Sequence, residues 1–236
     1  MIRVGFVVGE YPPEERKRRI DVALSYASTE IEIGIIPAAA TSYRHGLTPA
    51  EVQFAAPAFI EAFCQAERQG YHAVVPLGAL DLGVEGGKSA VDIPVVGPTE
   101  AALHIAGIVG ERVGVLIYHE KLLPVARAVI RRYGMEALIA GYRFSGFDLP
   151  DIAANREALI ENFLVRAREL IRDEGADVIY PMGATQCPVH MKPLWLQEQL
   201  GVPVVEGIGA PIRVAALIVN LGLRQSRVRW PKTVIP

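Results

Sequence analysis

Two stretches of this 236-residue chain are near copies of each other, and that repeat limits what the chain can fold into. Residues 70–79 read Gly-Tyr-His-Ala-Val-Val-Pro-Leu-Gly-Ala, and residues 175–184 read Gly-Ala-Asp-Val-Ile-Tyr-Pro-Met-Gly-Ala. Aligned without a gap, they share Gly70/Gly175, Pro76/Pro181, Gly78/Gly183 and Ala79/Ala184. A second match follows each copy: Asp-Ile-Pro-Val-Val-Gly at 92–97 and Gly-Val-Pro-Val-Val-Glu at 201–206. Long-range internal similarity of this kind marks duplicated structural units. Each unit reads as strand, glycine-containing turn, helix, strand.

The rest of the chain extends that pattern. Ile2 to Val8 is a continuous apolar run, as expected of a parallel strand buried on both faces. Ile31–Ile36, His72–Pro76, Pro94–Val96, Val113–Ile117, Ala137–Tyr142, Val178–Pro181 and Pro203–Val205 continue the series. Helical stretches separate them. Thr48-Pro49-Ala50-Glu51 predicts a helix start, with Thr48 as cap, Glu51 closing a capping box and Pro49 in the first turn. Ala210 to Leu221 predicts a closing apolar helix, and the basic tail from Arg224 to Pro236 a surface wrap. The alternation predicts an α/β fold of two pseudo-symmetric lobes, each a parallel sheet flanked by helices. Lobe one is expected at 1–98 plus 209–236, and lobe two at 99–208. Ligands of such sheets bind at the carboxyl ends of strands, so the active-site cleft is expected between the lobes, walled by the Gly78 and Gly183 turns.

Charge and cysteine usage narrow the function. Twenty-four basic residues against 26 acidic ones, a formal net charge of −2, offer no basic surface for nucleic acid. No apolar run reaches the length of a membrane span. Met1-Ile2-Arg3-Val4 runs directly into a strand, without the look of a signal peptide. Cys64 and Cys187 fall in different units, so a disulfide is not expected and a reducing cytoplasm is. Cys187-Pro188-Val189-His190 has the form C-x-x-H, but no second ligand pair accompanies it, and no metal site is expected. Neither a Walker loop nor G-x-G-x-x-G is present.

The matched turns carry a family resemblance. Residues 70–104, with Asp92-Ile-Pro-Val-Val-Gly97 and Glu100-Ala-Ala-Leu-His104, are similar to hydantoin racemases, and Gly175 to Val205 is similar to their second half. Gly183-Ala-Thr-Gln-Cys-Pro188 also resembles the Gly-Cys-Thr-His-x-Pro turn of glutamate racemases. The chain therefore resembles the aspartate/glutamate/hydantoin racemase superfamily over nearly its whole length. That resemblance implies a PLP-independent, metal-free site between two lobes. It also implies one cysteine on each turn, acting as acid or base on opposite faces of the substrate carbon. The chain departs from the pattern at both positions. The first falls on Gly78, or Ala79 with a one-residue slip, and the second on Ala184 or Gly183. Gln186 stands where the glutamate branch has histidine.

What remains is a cradle with few proton carriers. Small residues at Gly78, Ala79, Gly183 and Ala184 let backbone N–H groups approach a ligand closely. Helices beginning just after the turns would favour an anion there. Thr185 and Gln186 add side-chain donors, and Tyr11, Tyr43 and Tyr118 are expected on the walls. Cys187 is a candidate catalytic thiol, expected at a helix amino end with Pro188 in the first turn, where the thiolate is favoured. Asp81 is the second candidate, at the position of the acidic residue in the hydantoin racemase turn. Two readings follow. One is a cofactor-independent enzyme, an isomerase or one-thiol lyase or decarboxylase, acting next to a carboxylate or cyclic amide of a small molecule. The other is a non-catalytic binding or accessory protein that kept the fold without the two-cysteine chemistry. A homo-oligomer is expected in either case.

Overall fold

The structure is a computed structural model that describes residues 1–39, 48–147, 152 and 154–233. The first sheet orders its strands β2 (Ile31–Pro37), β1 (Ile2–Val8) and β3 (Ala73–Pro76), all parallel. The second orders β5 (Ile139–Phe144), β4 (Val113–Ile117) and β6 (Val178–Pro181), again parallel. The two registers correspond: Val4 pairs with Ala73 in one sheet, and Val113 with Val178 in the other. The expected pair of helix-flanked parallel sheets is thus what the chain forms.

Each sheet carries a vestigial fourth strand. Val74 N–H donates to Pro94 O at 2.8 Å and Val96 N–H to Val74 O at 3.0 Å. In the second copy, Ile179 donates to Pro203 O at 2.9 Å and Val205 to Ile179 O at 3.0 Å. Only the single bridges Val74–Val95 and Ile179–Val204 result. A proline, which has no N–H to give, opens each bridging segment and keeps it short and at the edge.

The helices explain how the lobes join. α1 (Pro13–Leu24), α2 (Pro49–Arg68) and α3 (Val84–Ala90) serve the first half, and α5 (Leu123–Arg132), α6 (Arg156–Glu174) and α7 (Pro193–Leu200) the second. α2 begins as its sequence dictates: Glu51 N–H reaches Thr48 Oγ1 at 3.3 Å, and Thr48 N–H reaches Glu51 Oε2 at 2.7 Å. The helix after each fourth segment crosses over. α4 (Pro98–Val109) buries Ala102, Leu103 and Ala106 with Val113, Val115 and Tyr180 of the second sheet. α8 (Gly209–Asn220) buries Ile212, Ala215 and Ala216 with Val4, Phe6 and Val75 of the first. Burying side chains such as Phe6, Phe63, Phe163 and Ile130 stabilises the fold by roughly 1.5–3 kcal/mol apiece.

The segment after α8 lies against α3 and the Val91–Val95 edge. Arg227 donates to Lys88 O at 2.9 Å, Val91 O at 2.6 Å and Asp92 Oδ1 at 2.6 Å, and Thr233 N–H donates to Ser89 O at 2.9 Å. No described helix is long and apolar enough to cross a membrane.

Candidate functional site

The turns after β3 and β6 each lean on the opposite lobe. Ala79 and Leu80 pack against the core of the second sheet, whereas Ala184 and Val189 pack against that of the first. Both turns therefore lie at the boundary between lobes, at the carboxyl ends of their strands.

The first turn is held from below and open above. Gly78 has φ +121°, and a Cβ there would meet nothing within 4 Å. Asp81 takes the left-handed conformation at φ 52°, which a short polar side chain tolerates better than most. Its buried carboxylate accepts from Thr99 N–H at 2.9 Å, Glu100 N–H at 3.1 Å and the Tyr133 hydroxyl at 2.7 Å. Burial pushes Asp81 up to about 7 against those hydrogen bonds. The Thr99 hydroxyl donates its one hydrogen to Ala79 O at 2.5 Å, so Tyr180, 2.7 Å away, donates to Thr99 Oγ1. Asp81 thus stitches the turn to the amino end of α4, with both carboxylate oxygens engaged.

The second turn is rich in donors. Gly183 lies so close to the Tyr118 ring that a Cβ would overlap it. Thr185 N–H donates to the Tyr118 oxygen at 3.0 Å. From lobe one, Arg19 Nη2 donates to Thr185 Oγ1 at 2.5 Å. The buried Arg19 guanidinium also grips Glu15, at 2.7 Å to its backbone oxygen and 2.6 Å to Oε2, and lies 4.2 Å from the Tyr11 ring centroid. Burial pushes Tyr118 up to about 12, against the Thr185 hydrogen bonds and the Arg19 charge. Gln186 is fully buried: Nε2 points to Leu116 O at 3.5 Å, and Oε1 has no hydrogen-bond partner in the structure.

Arg19 did not stand out in the sequence because it closes the run Glu14-Glu15-Arg16-Lys17-Arg18-Arg19, which reads as a solvated helix face. The available signal was periodicity. Arg19 lies four residues before Ala23, and those two are the buried positions of α1.

The structure corrects the expected setting of Cys187. No helix starts just after Gly183: Thr185–His190 forms a wide, irregular turn, Cys187 is extended at φ −138° and ψ 129°, and the Cys187–Pro188 peptide is cis. The thiol is 0 % exposed. Burial, reinforced by the Glu206 carboxylate, pushes it well above its ordinary range, the reverse of the favoured thiolate. On the first turn, α3 begins only at Val84 and has seven residues, so neither turn leads directly into a long helix. Tyr11 packs its ring on Arg19, and Tyr43 lies outside the described residues. Among the described residues no group of three His, Cys, Asp or Glu side chains is placed to hold a metal ion.

Several comparisons bear on this geometry. The model of the Asp/Glu/Hydantoin racemase family matches residues 35–215. A hydantoin racemase of Pseudomonas sp. (strain NS671) is 26% identical over 176 residues, which cover 75% of this chain and 70% of that protein. The crystal structure of allantoin racemase from Pseudomonas fluorescens superposes with a TM-score of 0.87 at 26% identity, covering 100% of both chains. A liganded double mutant of arylmalonate decarboxylase shares the fold, with a TM-score of 0.68 at 15% identity over 96% of each chain. The family model spans most of the chain and a racemase superposes on it over its whole length, and the chain belongs to the Asp/Glu/Hydantoin racemase family.

Proposed function

We propose that this protein is a cofactor-independent enzyme of racemase type that moves a proton at the carbon beside a carboxylate or cyclic amide carbonyl of a small molecule. One observation carries the reading: the two turns are unequal. The first wall is bare, since Gly78 presents no side chain and a Cβ there would meet nothing within 4 Å. The second wall carries Thr185, Tyr118 and the buried Arg19 cation around Ala184. A developing enolate, carboxylate or imidate oxygen suits such donors, which are fixed before the reaction starts. The cysteine positions that the family resemblance assigns to Gly78 and Ala184 hold no acid or base. The two-thiol route is therefore replaced by proton delivery from one side, either as an isomerase or as a lyase that protonates the carbanion left by a departing group. The activities of the relatives supply the trial substrates: hydantoins, allantoin and arylmalonates.

The test is proton NMR in D₂O with enantiopure 5-substituted hydantoin, allantoin and an arylmalonate, alongside polarimetry and carbon dioxide release. Deuterium entry at the α-carbon or decarboxylation, without the rapid loss of optical rotation typical of two-base racemases, is the expected result. The non-catalytic reading has its own support, the burial of Cys187 and the full engagement of Asp81. It predicts that the same compounds raise the melting temperature while no exchange or carbon dioxide release occurs.

A further inference from the structure

Resting on that functional reading, we infer that Tyr118 takes the place of the missing second-turn cysteine as the proton donor, held ready by Arg19 acting through Thr185. The first support is position. The Tyr118 ring lies against Gly183, and its oxygen accepts from Thr185 N–H at 3.0 Å, so the phenol sits on the two residues that flank Ala184. Tyr118 directly follows β4 and is 8 % exposed, with its ring packed in the core beside Leu116 and Ile179.

The second support is the direction of the hydrogen bonds. Thr185 meets the phenol oxygen with its backbone N–H at 3.0 Å. Thr185 Oγ1 is itself the acceptor of an Arg19 N–H at 2.5 Å. Arg19 thus holds the Thr185 side chain, and the Thr185 N–H fills an acceptor site of the phenol oxygen. What the phenol has left to give is its proton. Once given, the same bonds and the nearby cation stabilise the phenolate. The third support is the ordinary protonation state: burial keeps Tyr118 neutral at physiological pH, so it acts as an acid and not as a resting base. A group of this kind matches one-sided chemistry, because protonating a carbanion needs a donor on one face only.

The step balances simply. In the lyase form, the carbon–carbon bond to the carboxylate breaks, carbon dioxide leaves, and the electron pair stays on the α-carbon as an enolate. The Tyr118 O–H bond then breaks, its proton forms the new C–H bond, and the phenolate recovers a proton from water. Arg19 touches neither carbon nor leaving group and is a positioning residue. Glu15, which pairs with it, and Tyr11, which covers it, complete the setting.

The experiment compares wild type with Tyr118→Phe, which keeps the ring in its packing and removes only the hydroxyl. An arylmalonate is the probe, with carbon dioxide release measured beside ligand-induced melting shifts. The expected result is a rate loss of about 100-fold or more with the melting shifts retained, as for removal of a general acid. Arg19→Lys should keep more activity than Arg19→Met at equal ligand shift, which a purely structural arginine would not show. Full activity in a folded Tyr118→Phe overturns this inference and leaves the functional reading standing. Absence of exchange and of carbon dioxide release in wild type overturns both.

Discussion

Asp81 and Glu206 cap equivalent helix ends from non-equivalent places. Asp81 accepts from Thr99 and Glu100 N–H at the start of α4; Glu206 accepts from Ile208 and Gly209 N–H, both at 2.6 Å, at the start of α8. A tyrosine hydroxyl joins each carboxylate, Tyr133 at 2.7 Å and Tyr26 at 3.0 Å. In the repeat, the turn counterpart of Asp81 is Gln186, and the counterpart of Glu206 at the end of the bridging segment is Gly97. A Cβ at Gly97 would overlap Asp81, so a glycine there leaves room for the carboxylate reaching in from the turn. In the second copy the carboxylate comes from the bridging segment itself, and Gln186 is released from capping. Its Oε1 is left buried without a hydrogen-bond partner.

Asp81 makes stability depend on pH. Its carboxyl in the folded protein is raised from 3.8 to about 7, chiefly by burial. A raised folded-state value means that the folded protein holds the proton more tightly than the unfolded chain. The stabilisation is complete below about 4 and is lost as pH rises through about 7, an effect of up to about 4 kcal/mol. Denaturant unfolding at pH 4.5 and 7.5 should show this fall in wild type, and Asp81→Asn should remove most of it. An equal pH slope in the two proteins would assign the effect to other groups.

The cysteines should behave opposite to their sequence neighbourhoods. Cys187, on the turn, is fully buried and its thiol is pushed up; Cys64, on α2, is half-buried and is also raised by burial, with the Glu61 carboxylate adding to the effect. Accessibility then decides. Alkylation at neutral pH with peptide mapping should label Cys64 first and Cys187 only on unfolding. Cys187→Ala should cost about 1–2 kcal/mol through lost packing, with activity retained in the folded variant. Rapid, ligand-protected labelling of Cys187 would reverse this assignment.

The fold was legible where apolar runs and punctuation repeat. Ile2–Val8, the two Gly-x-x-x-Val/Ile strands and the Thr48 capping box each led to the element formed, because burial on both faces and a local cap leave few alternatives. The candidate site was read at Gly78, Ala184 and Thr185, on the turns after β3 and β6, and at Tyr118, directly after β4, because all follow strand ends. It was not legible at Arg19, whose charge pattern matches a surface helix, nor at Cys187, whose isomeric state before Pro188 has no local signature. The Asp81/Gly97 exchange with Gln186/Glu206 shows why: the contacts that set these roles span long loops and opposite lobes.

The segment after α8 should stabilise the first turn at a distance. Trp230 covers Lys88, with Nζ 4.8 Å from the ring centroid, and Lys88, only 4 % exposed, pairs with Glu100 at 2.5 Å. Glu100 in turn accepts from Gly97 N–H at 3.2 Å at the start of α4, beside Asp81. Removing the indole wets a buried ion pair and leaves Lys88 accessible. Trp230→Ala should lower stability by about 2–4 kcal/mol and make Lys88 newly reactive to amine acylation, read by peptide mapping. Unchanged Lys88 protection would show that the indole does not seal the pair.

The two bare positions give the most direct engineering test of how this chain departs from its family. A thiol at Gly78 would project into open space, because a Cβ there meets nothing within 4 Å. It carries a backbone cost, since φ +121° disfavours an L side chain, of about 1–3 kcal/mol. Ala184 has φ −55° and ψ −29°, so Ala184→Cys should fold without strain, with a melting temperature near that of wild type. If these are the family's two acid–base positions, only the double variant places a thiol on each face of a bound carbon. Gly78→Cys/Ala184→Cys should therefore lose the optical rotation of an enantiopure 5-substituted hydantoin, and faster than Gly78→Cys, in which Tyr118 is the acid opposite the new thiol, while Ala184→Cys should leave it unchanged. Alkylation of both new thiols in the folded double variant would confirm their exposure. A folded, doubly alkylatable variant that leaves the rotation unchanged would show that these turns do not face the reacting carbon, and that the cradle around Thr185 and Tyr118 binds its ligand elsewhere along the lobe boundary.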